Sequence, residues 1–335
     1  MAKNNTRSVW KRLKRNKGAM FGIVVIILSV LIAIFAHLIA PDPSPNANRM
    51  IVEIDGQKPG FKQQFFKLRR ERQIEDVSFF RRLVNGREDI YQYIPITGYS
   101  FTADSIIIQQ FLDEGVSDRK AFALKDVAVQ SDTKTPLKNT IEQNQIVTKK
   151  FLLGTDKYGR DILSRLLVGV RVSLSVGLVT VLISLSIGVI LGALAGYFRG
   201  TVDDVITWFI NVIWSIPTLL LVFAITVALG KGFWQVFIAI GLTMWVSVAR
   251  LIRGQVLSVR EMEYVEAARA LGFSHGRIIF RHVLPNIMGP VMVVAASNFA
   301  SAIVIEAGLS FLGVGVQARQ RSLGLMVKEY FKFIF

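Results

Sequence analysis

Hydrophobic and polar positions along this chain fall into long blocks, unlike the short alternations of a water-soluble fold. The first apolar block runs from about Gly18 to Ala40. As a helix at 1.5 Å per residue it reaches roughly 35 Å, enough to cross the ~30 Å hydrocarbon core of a bilayer. Four more blocks follow, near Val172–Phe198, Val205–Leu229, Phe233–Ile252 and Asn286–Val304. The pattern predicts an all-α polytopic membrane protein with five visible spans. A secretion signal would carry an apolar core of only about 7–15 residues and a small-residue cleavage site. This first block is longer and leads into Pro41-Asp42-Pro43, so it is read as an uncleaved span.

Residues 42–165 are of a different kind. They hold 20 Lys+Arg and 17 Asp+Glu, and no stretch long enough to span. Pro43, Pro45, Asn46 and Asn48 punctuate the start; short mixed segments follow, including a helix-like Phe61–Val84 and Asp104–Leu112. The organisation expected is a basic N-terminus (1–17), a first span (18–40), an insert (41–150), a membrane core (151–312) and a tail (313–335).

Composition agrees with the blocks. Of 335 residues, 52% belong to the AVILMFWYC set and 19% are charged, against about 25% in a usual soluble domain. Disorder and collagen-like repeats are excluded. With no cysteine, disulfides, thiolate zinc sites and a cysteine nucleophile are excluded, and three histidines (His37, His275, His282) argue against a His-rich metal site.

Charge sets the orientation. The balance is 40 Lys+Arg to 24 Asp+Glu, a net +16. Lys3, Arg7, Lys11, Arg12, Lys14, Arg15 and Lys17 precede the first block, the flank of a span whose N-terminus stays in the cytoplasm. Nucleic acid is set aside, because single-strand binding wants interleaved aromatics and only Trp10 is there. The Arg199-Gly200-Thr201 turn and the 253–285 loop, with Arg253, Arg260, Arg269, Arg277 and Arg281, fall on that same side if all five blocks span. Gly230-Lys231-Gly232 and residues 42–170 then lie outside, as does the tail, which holds Arg319, Arg321, Lys328 and Lys332 but no sixth span.

Several features invite mechanism. Ser184, Gly188, Gly192 and Gly196 recur every fourth position, a small face that lets membrane helices approach closely, for packing or for another subunit's moving helices. Trp214-Ser215-Ile216-Pro217 predicts a kink within the third span, structural or lining a path. Glu306 is an acid near the outer end of the fifth span and a path or gating candidate. In the 253–285 loop, Tyr264, Ala267, Ala268 and Leu271 share a helical face, Glu261 and Glu263 favour its N-terminal end, and Gly272 suits a left-handed stop. Ser274 is a candidate N-cap for a second short helix, and Pro285 suits the first turn of the fifth span. Two short helices at a glycine elbow fit a cleft in a soluble partner, or else lie on the membrane surface.

Glu266-Ala267-Ala268, then Gly272, then Leu284-Pro285 resembles the EAA loop of binding-protein-dependent ABC importer permeases, although His282 stands where that pattern has Ile. Leu153-Gly-Thr-Asp156-Lys-Tyr-Gly-Arg160-Asp161-Ile-Leu-Ser-Arg165 resembles a stretch of the dipeptide/oligopeptide/nickel branch, in its OppC/DppC-type permease. Arg253-Gly254-Gln255 and Leu309-Ser310-Phe311-Leu312-Gly313 add to the likeness, which covers about 1–45 and 150–316.

The resemblance implies a type I permease-like helix bundle with an extracytoplasmic insert, in a bacterial inner membrane, and a last span beyond residue 335. It implies a second permease subunit, two ATPase subunits that carry ATP and Mg, an extracytoplasmic binding protein and a peptide substrate. Tyr264, Glu266, Ala267, Ala268 and Gly272 would couple to the ATPase, with Leu284 and Pro285 fixing the loop. Pro217, Glu306, Asp156, Arg160 and Asp161 are candidates for a path or outer gate, the last three equally for a capped structural turn. No GxxxxGK[ST], HExxH or GxSxG occurs, so no enzyme and no resident cofactor is expected. Rival readings are a permease for nickel or another small solute, and a membrane-anchored protein whose 42–165 domain binds a ligand.

Overall fold

Helix α1 (Lys17–Ile39) starts where Asn16 Oδ1 accepts the Ala19 N–H at 3.1 Å, and most of its apolar side chains are exposed, as lipid-facing residues would be. The computed structural model describes residues 10–11, 13–72, 77–127, 137–230, 232–315 and 322–331. The chain divides into two units, Met1–Arg171 and Val172–Phe335. Lys231, Arg319, Arg321 and Lys332 lie outside the described residues.

The insert is built on a β-sheet. Strands β1 (Phe61–Arg69), β2 (Tyr91–Phe101), β3 (Ser105–Asp113), β4 (Val116–Ala123) and β5 (Ile146–Phe151) are ordered β4-β3-β2-β1-β5, with every neighbouring pair antiparallel. The helix-like expectation for Phe61–Val84 fails here. Phe61, Phe65 and Leu68 fall at helical spacing, but β1 finds a partner on each side, Phe65 facing Pro95 of β2 and Val147 of β5. Successive strand residues point to opposite faces. Phe65 and Phe66 are both fully buried, so both faces are covered. Phe66 packs with Ile96, Ile106, Ile108 and Ile141 of helix α3 (Leu137–Gln145); Phe65 packs with Ile51, Ile54 and Phe151. Helix α2 (Phe79–Asn85), capped by Ser78, takes up the end of that segment.

The helices that follow are α4 (Ile162–Phe198), α5 (Gly200–Trp214), α6 (Thr218–Leu229), α7 (Phe233–Val259), α8 (Glu263–Ala270), α9 (Met288–Leu312) and α10 (Leu323–Phe331). Among the described residues α1, α4, α7 and the helical run ending in α9 are each long and apolar enough to cross a membrane; α5 and α6 make a fifth span if the pair is one. The kink expected in the third span is a break, with α5 and α6 meeting at 92°. Pro217 has no N–H to continue a ladder and pushes Ile216 out of helical backbone.

The small-residue face packs inside this chain. A Cβ on Gly188 would lie 2.5 Å from Val248 Cβ, one on Gly192 2.5 Å from the Ala249 carbonyl oxygen, and one on Gly196 2.8 Å from the Arg253 carbonyl oxygen. The stripe thus brings α4 and α7 into close approach.

Candidate functional site

The coupling element begins later than the pattern predicts, because α7 runs on to Val259. Helix α8 ends in a paired-bond stop: the Phe273 N–H reaches the Ala268 carbonyl at 3.1 Å and the Gly272 N–H reaches Arg269 at 2.9 Å. This double closure needs a left-handed residue after the cap, and Gly272 has φ +75°. No atom lies within 4 Å of where its Cβ would be, so the requirement is conformational, not steric.

The expected docking face divides. Val265 and Ala268 are buried among Val256, Ile278, Ile279 and Val283. Tyr264, Glu266, Ala267 and Leu271 are exposed, Leu271 at 73%. Ala268 thus seats the helix while its neighbours present an outer surface. A second departure concerns Leu284 and Pro285, which do not end the loop. His275–Ile278 is helical, Ile279–Val283 forms a π turn, Leu284–Ile287 a 3₁₀ turn, and α9 follows. The widened and tightened turns carry the helical path past Pro285, which lacks a donor. Leu284 is half-buried against the loop core and Pro285 is exposed. Ser274 stands at the N-cap without a side-chain bond.

Contacts from Tyr197, Arg199 and Asp203 brace this loop, and of these residues Tyr197 and Asp203 carry no signal in the sequence. Buried Tyr197, near the end of α4, places its hydroxyl 3.0 Å from His275 Nδ1 and its ring 5.1 Å from the Arg269 guanidinium. Arg199 pairs with Glu261. Arg253 of α7 holds Asp203 of α5 through two bonds, 2.5 and 2.6 Å. The partners lie 50 to 78 positions apart, and pairing at that range leaves no periodic trace.

Asp156, Arg160 and Asp161 make most of their bonds within their own turn. Asp156 Oδ1 accepts the Tyr158 and Arg160 N–H groups at 2.9 and 3.0 Å. Its Oδ2 accepts Arg160 Nε at 2.6 Å and also Arg165. Asp161 Oδ2 accepts the Ser164 N–H at 2.8 Å in the first turn of α4. All four charged side chains are buried. Thr155 Oγ1 donates to the Ile54 carbonyl at 2.6 Å. Gly154 and Gly159 have φ +79° and +66° and lie against the backbone of Gln57 and Ile51, where no Cβ fits. The stretch is a capped turn that locks the 51–57 segment to the start of α4.

Glu306 lies inside the protein. It is fully buried, accepts Ser310 Oγ at 2.6 Å, and Ser310 lies 3.3 Å from Ser322 beside α10. Pro217 opens α6 at the bend. A cavity of about 320 Å³ lies beside that bend, between α5, α6, α7 and α9, with Trp214, Thr218, Ser247 and Asn298 in its wall.

Residues 188–335 match the model of the binding-protein-dependent transport system inner membrane component, and residues 5–59 match the N-terminal TM domain of oligopeptide transport permease C. The oligopeptide transport system permease protein OppC of Bacillus subtilis (strain 168) is 38% identical over 191 residues, 57% of this chain and 63% of that protein. The dipeptide transport system permease protein DppC of the same strain is 40% identical over 188 residues, 56% of this chain and 59% of its own. This chain thus spans less than two thirds of either relative. A solved chain of the inward-facing MetNI methionine ABC transporter aligns at 20% identity and TM-score 0.44, covering 50% of this chain and 80% of that one. The C-terminal part of the chain is thus similar to the inner-membrane component of binding-protein-dependent transport systems. The N-terminal match and these relatives carry OppC- and DppC-type names.

Proposed function

We propose that this chain is the transmembrane subunit of an ATP-driven importer of di- and oligopeptides. It forms half of the translocation path with a second permease subunit, and two cytoplasmic ATPase subunits carry the ATP and Mg. An extracytoplasmic binding protein delivers the peptide. The N-terminus and the 260–287 loop face the cytoplasm, and the sheet-bearing insert faces outside. The relatives' names, oligopeptide and dipeptide permeases, support the substrate class.

The observation that carries the coupling role is the division of α8. Tyr264, Glu266, Ala267 and Leu271 form an exposed, partly apolar surface, while Val265 and Ala268 seat the helix in the protein core. A helix so seated passes a displacement on to α7 and α9, where an unsupported loop would absorb it. On this reading Glu266 and Ala267 meet the ATPase, Gly272 sets the elbow, and Leu284 and Pro285 join the elbow to α9. None of them does chemistry.

The test is copurification with the second permease and the ATPase subunits. The surface variant Leu271→Glu and the double variant Gly272→Asp with Glu266→Lys are expected to lose the ATPases and keep the permease pair. Full ATPase retention by both variants would overturn the docking role.

A further inference from the structure

The cavity at the α5–α6 bend carries more than its position. Its wall includes Thr218, Thr243, Ser247, Asn298 and Ser301, and none of its lining residues is charged. Thr243 Oγ1 donates to the Ile240 carbonyl at 2.8 Å and Ser247 Oγ to Met244 at 2.9 Å. With their hydrogens committed to α7, these hydroxyls offer lone pairs. Asn298 on α9 is the opposite case. It is 6% exposed, Oδ1 lies 3.5 Å from Ser247 Oγ, and Nδ2 has no hydrogen-bond partner. A buried amide donor left unpaired is costly and calls for an explanation, and a group that binds there supplies one. Thr243 and Ser247 lie four apart on α7, Asn298 and Ser301 three apart on α9, so each pair lines one helix face. Arg250 is not in the lining; it stacks on Trp214 and donates to Asn211.

We propose that this cavity is a subsite for one backbone amide of the transported peptide, with Asn298 Nδ2 donating to its carbonyl oxygen. The inference rests on the peptide-permease reading and deepens it. The site offers one donor and neighbouring acceptors, the complement of an amide C=O and N–H. Without charge it does not select peptide termini or ionised side chains. It reads the group that every peptide shares, so passage at this point is indifferent to side-chain identity.

The test is uptake by proteoliposomes holding the complete transporter, with tri-alanine and its thioamide analogue delivered on the binding protein at saturation. Sulfur accepts hydrogen bonds weakly. The wild type is expected to translocate the oxo peptide about 5–10 times more per ATP hydrolysed than the thio peptide, the scale of one hydrogen bond. Asn298→Leu, and the like-shaped Asn298→Asp, are expected to bring that ratio near one, and Asn298→Gln to restore part of it. A variant that merely packs poorly lowers both peptides together and leaves the ratio alone. A ratio unchanged in Asn298→Leu and Asn298→Asp overturns the subsite while leaving the transporter intact. A wild-type complex that assembles but takes up neither peptide overturns the peptide reading, and the subsite with it.

Discussion

Arg253 grips Asp203 with both Nε and Nη2, at 2.5 and 2.6 Å, and so ties the start of α5 to the last turns of α7 just ahead of the coupling element. The planar fork matches the two carboxylate oxygens, a geometry that lysine does not supply. Asp203→Ala or Arg253→Ala should each destabilise the chain by about 1–2 kcal/mol, discounted for the part-exposed guanidinium. In a double-mutant cycle on detergent-solubilised protein, the two losses should not add. Additive losses would show that the pair is not coupled.

The α4–α7 contact makes a steric forecast. Gly192→Ala places a methyl 2.5 Å from the Ala249 carbonyl oxygen and forces the helices apart. Overpacking of this kind costs about 1–3 kcal/mol. Gly254→Ala in α7 is the control, since nothing lies within 4 Å of that position. There the helix propensity gain of about 1 kcal/mol should dominate. Thermal unfolding of the two variants should move in opposite directions.

Ion pairs in two settings should differ sharply. Asp156→Ala removes the carboxylate that pairs with Arg165, which has no exposed surface, and with Arg160, which has almost none. Removing one member of a buried pair costs about 3–5 kcal/mol, enough to prevent folding of the turn. Glu261→Ala breaks a pair whose side chains are 44% and 66% exposed, and should change stability by under about 0.5 kcal/mol. Limited proteolysis within residues 51–57 would report the first loss. Comparable melting points for the two variants would contradict the assignment of burial.

Lys149 makes the pH forecast. Burial, then the nearby Arg49 guanidinium, pushes it from 10.5 down to about 8, and its ammonium sits 3.5 Å over the Tyr93 ring. Above about 8 the folded chain has released a proton that the unfolded chain still holds. Stability contributed here therefore rises with pH between about 8 and 10. Tyr93, pushed up to about 12 by burial and Asp89, acts in the opposite sense above 10. Competitive acetylation followed by mass spectrometry should give Lys149 a midpoint near 8, and Lys149→Met should remove the rise. A Lys149 midpoint like those of the exposed lysines would refute it.

Much of this protein was legible from one dimension. The apolar blocks reappear as α1, α4, α7 and α9 with ends moved by up to ten residues, because bilayer thickness imposes a run length that hydropathy reports directly. Gly272 was readable as an elbow, since left-handed backbone after a helix is a local demand that glycine meets alone. Pro217 announced a break, though not its 92° angle.

What only the tertiary structure decided depends on long-range pairing. Phe65 and Phe66 are adjacent, and whether they belong to a helix or a strand was settled by β2 and β5, 30 and 82 positions away. The fourfold spacing of Gly188, Gly192 and Gly196 marked a close approach, but the partner, α7, emerged only when Val248 and Ala249 arrived against it. Ala267 and Ala268 are identical side chains one residue apart. The first is exposed and the second buried, because a helix turns 100° per residue and the core formed by Val256, Ile278 and Val283 lies to one side. Sequence alone determines which segments can be buried in lipid and where backbone must turn. Which face of each segment meets protein is fixed by the neighbours that the chain later brings to it, and burial has no local signature.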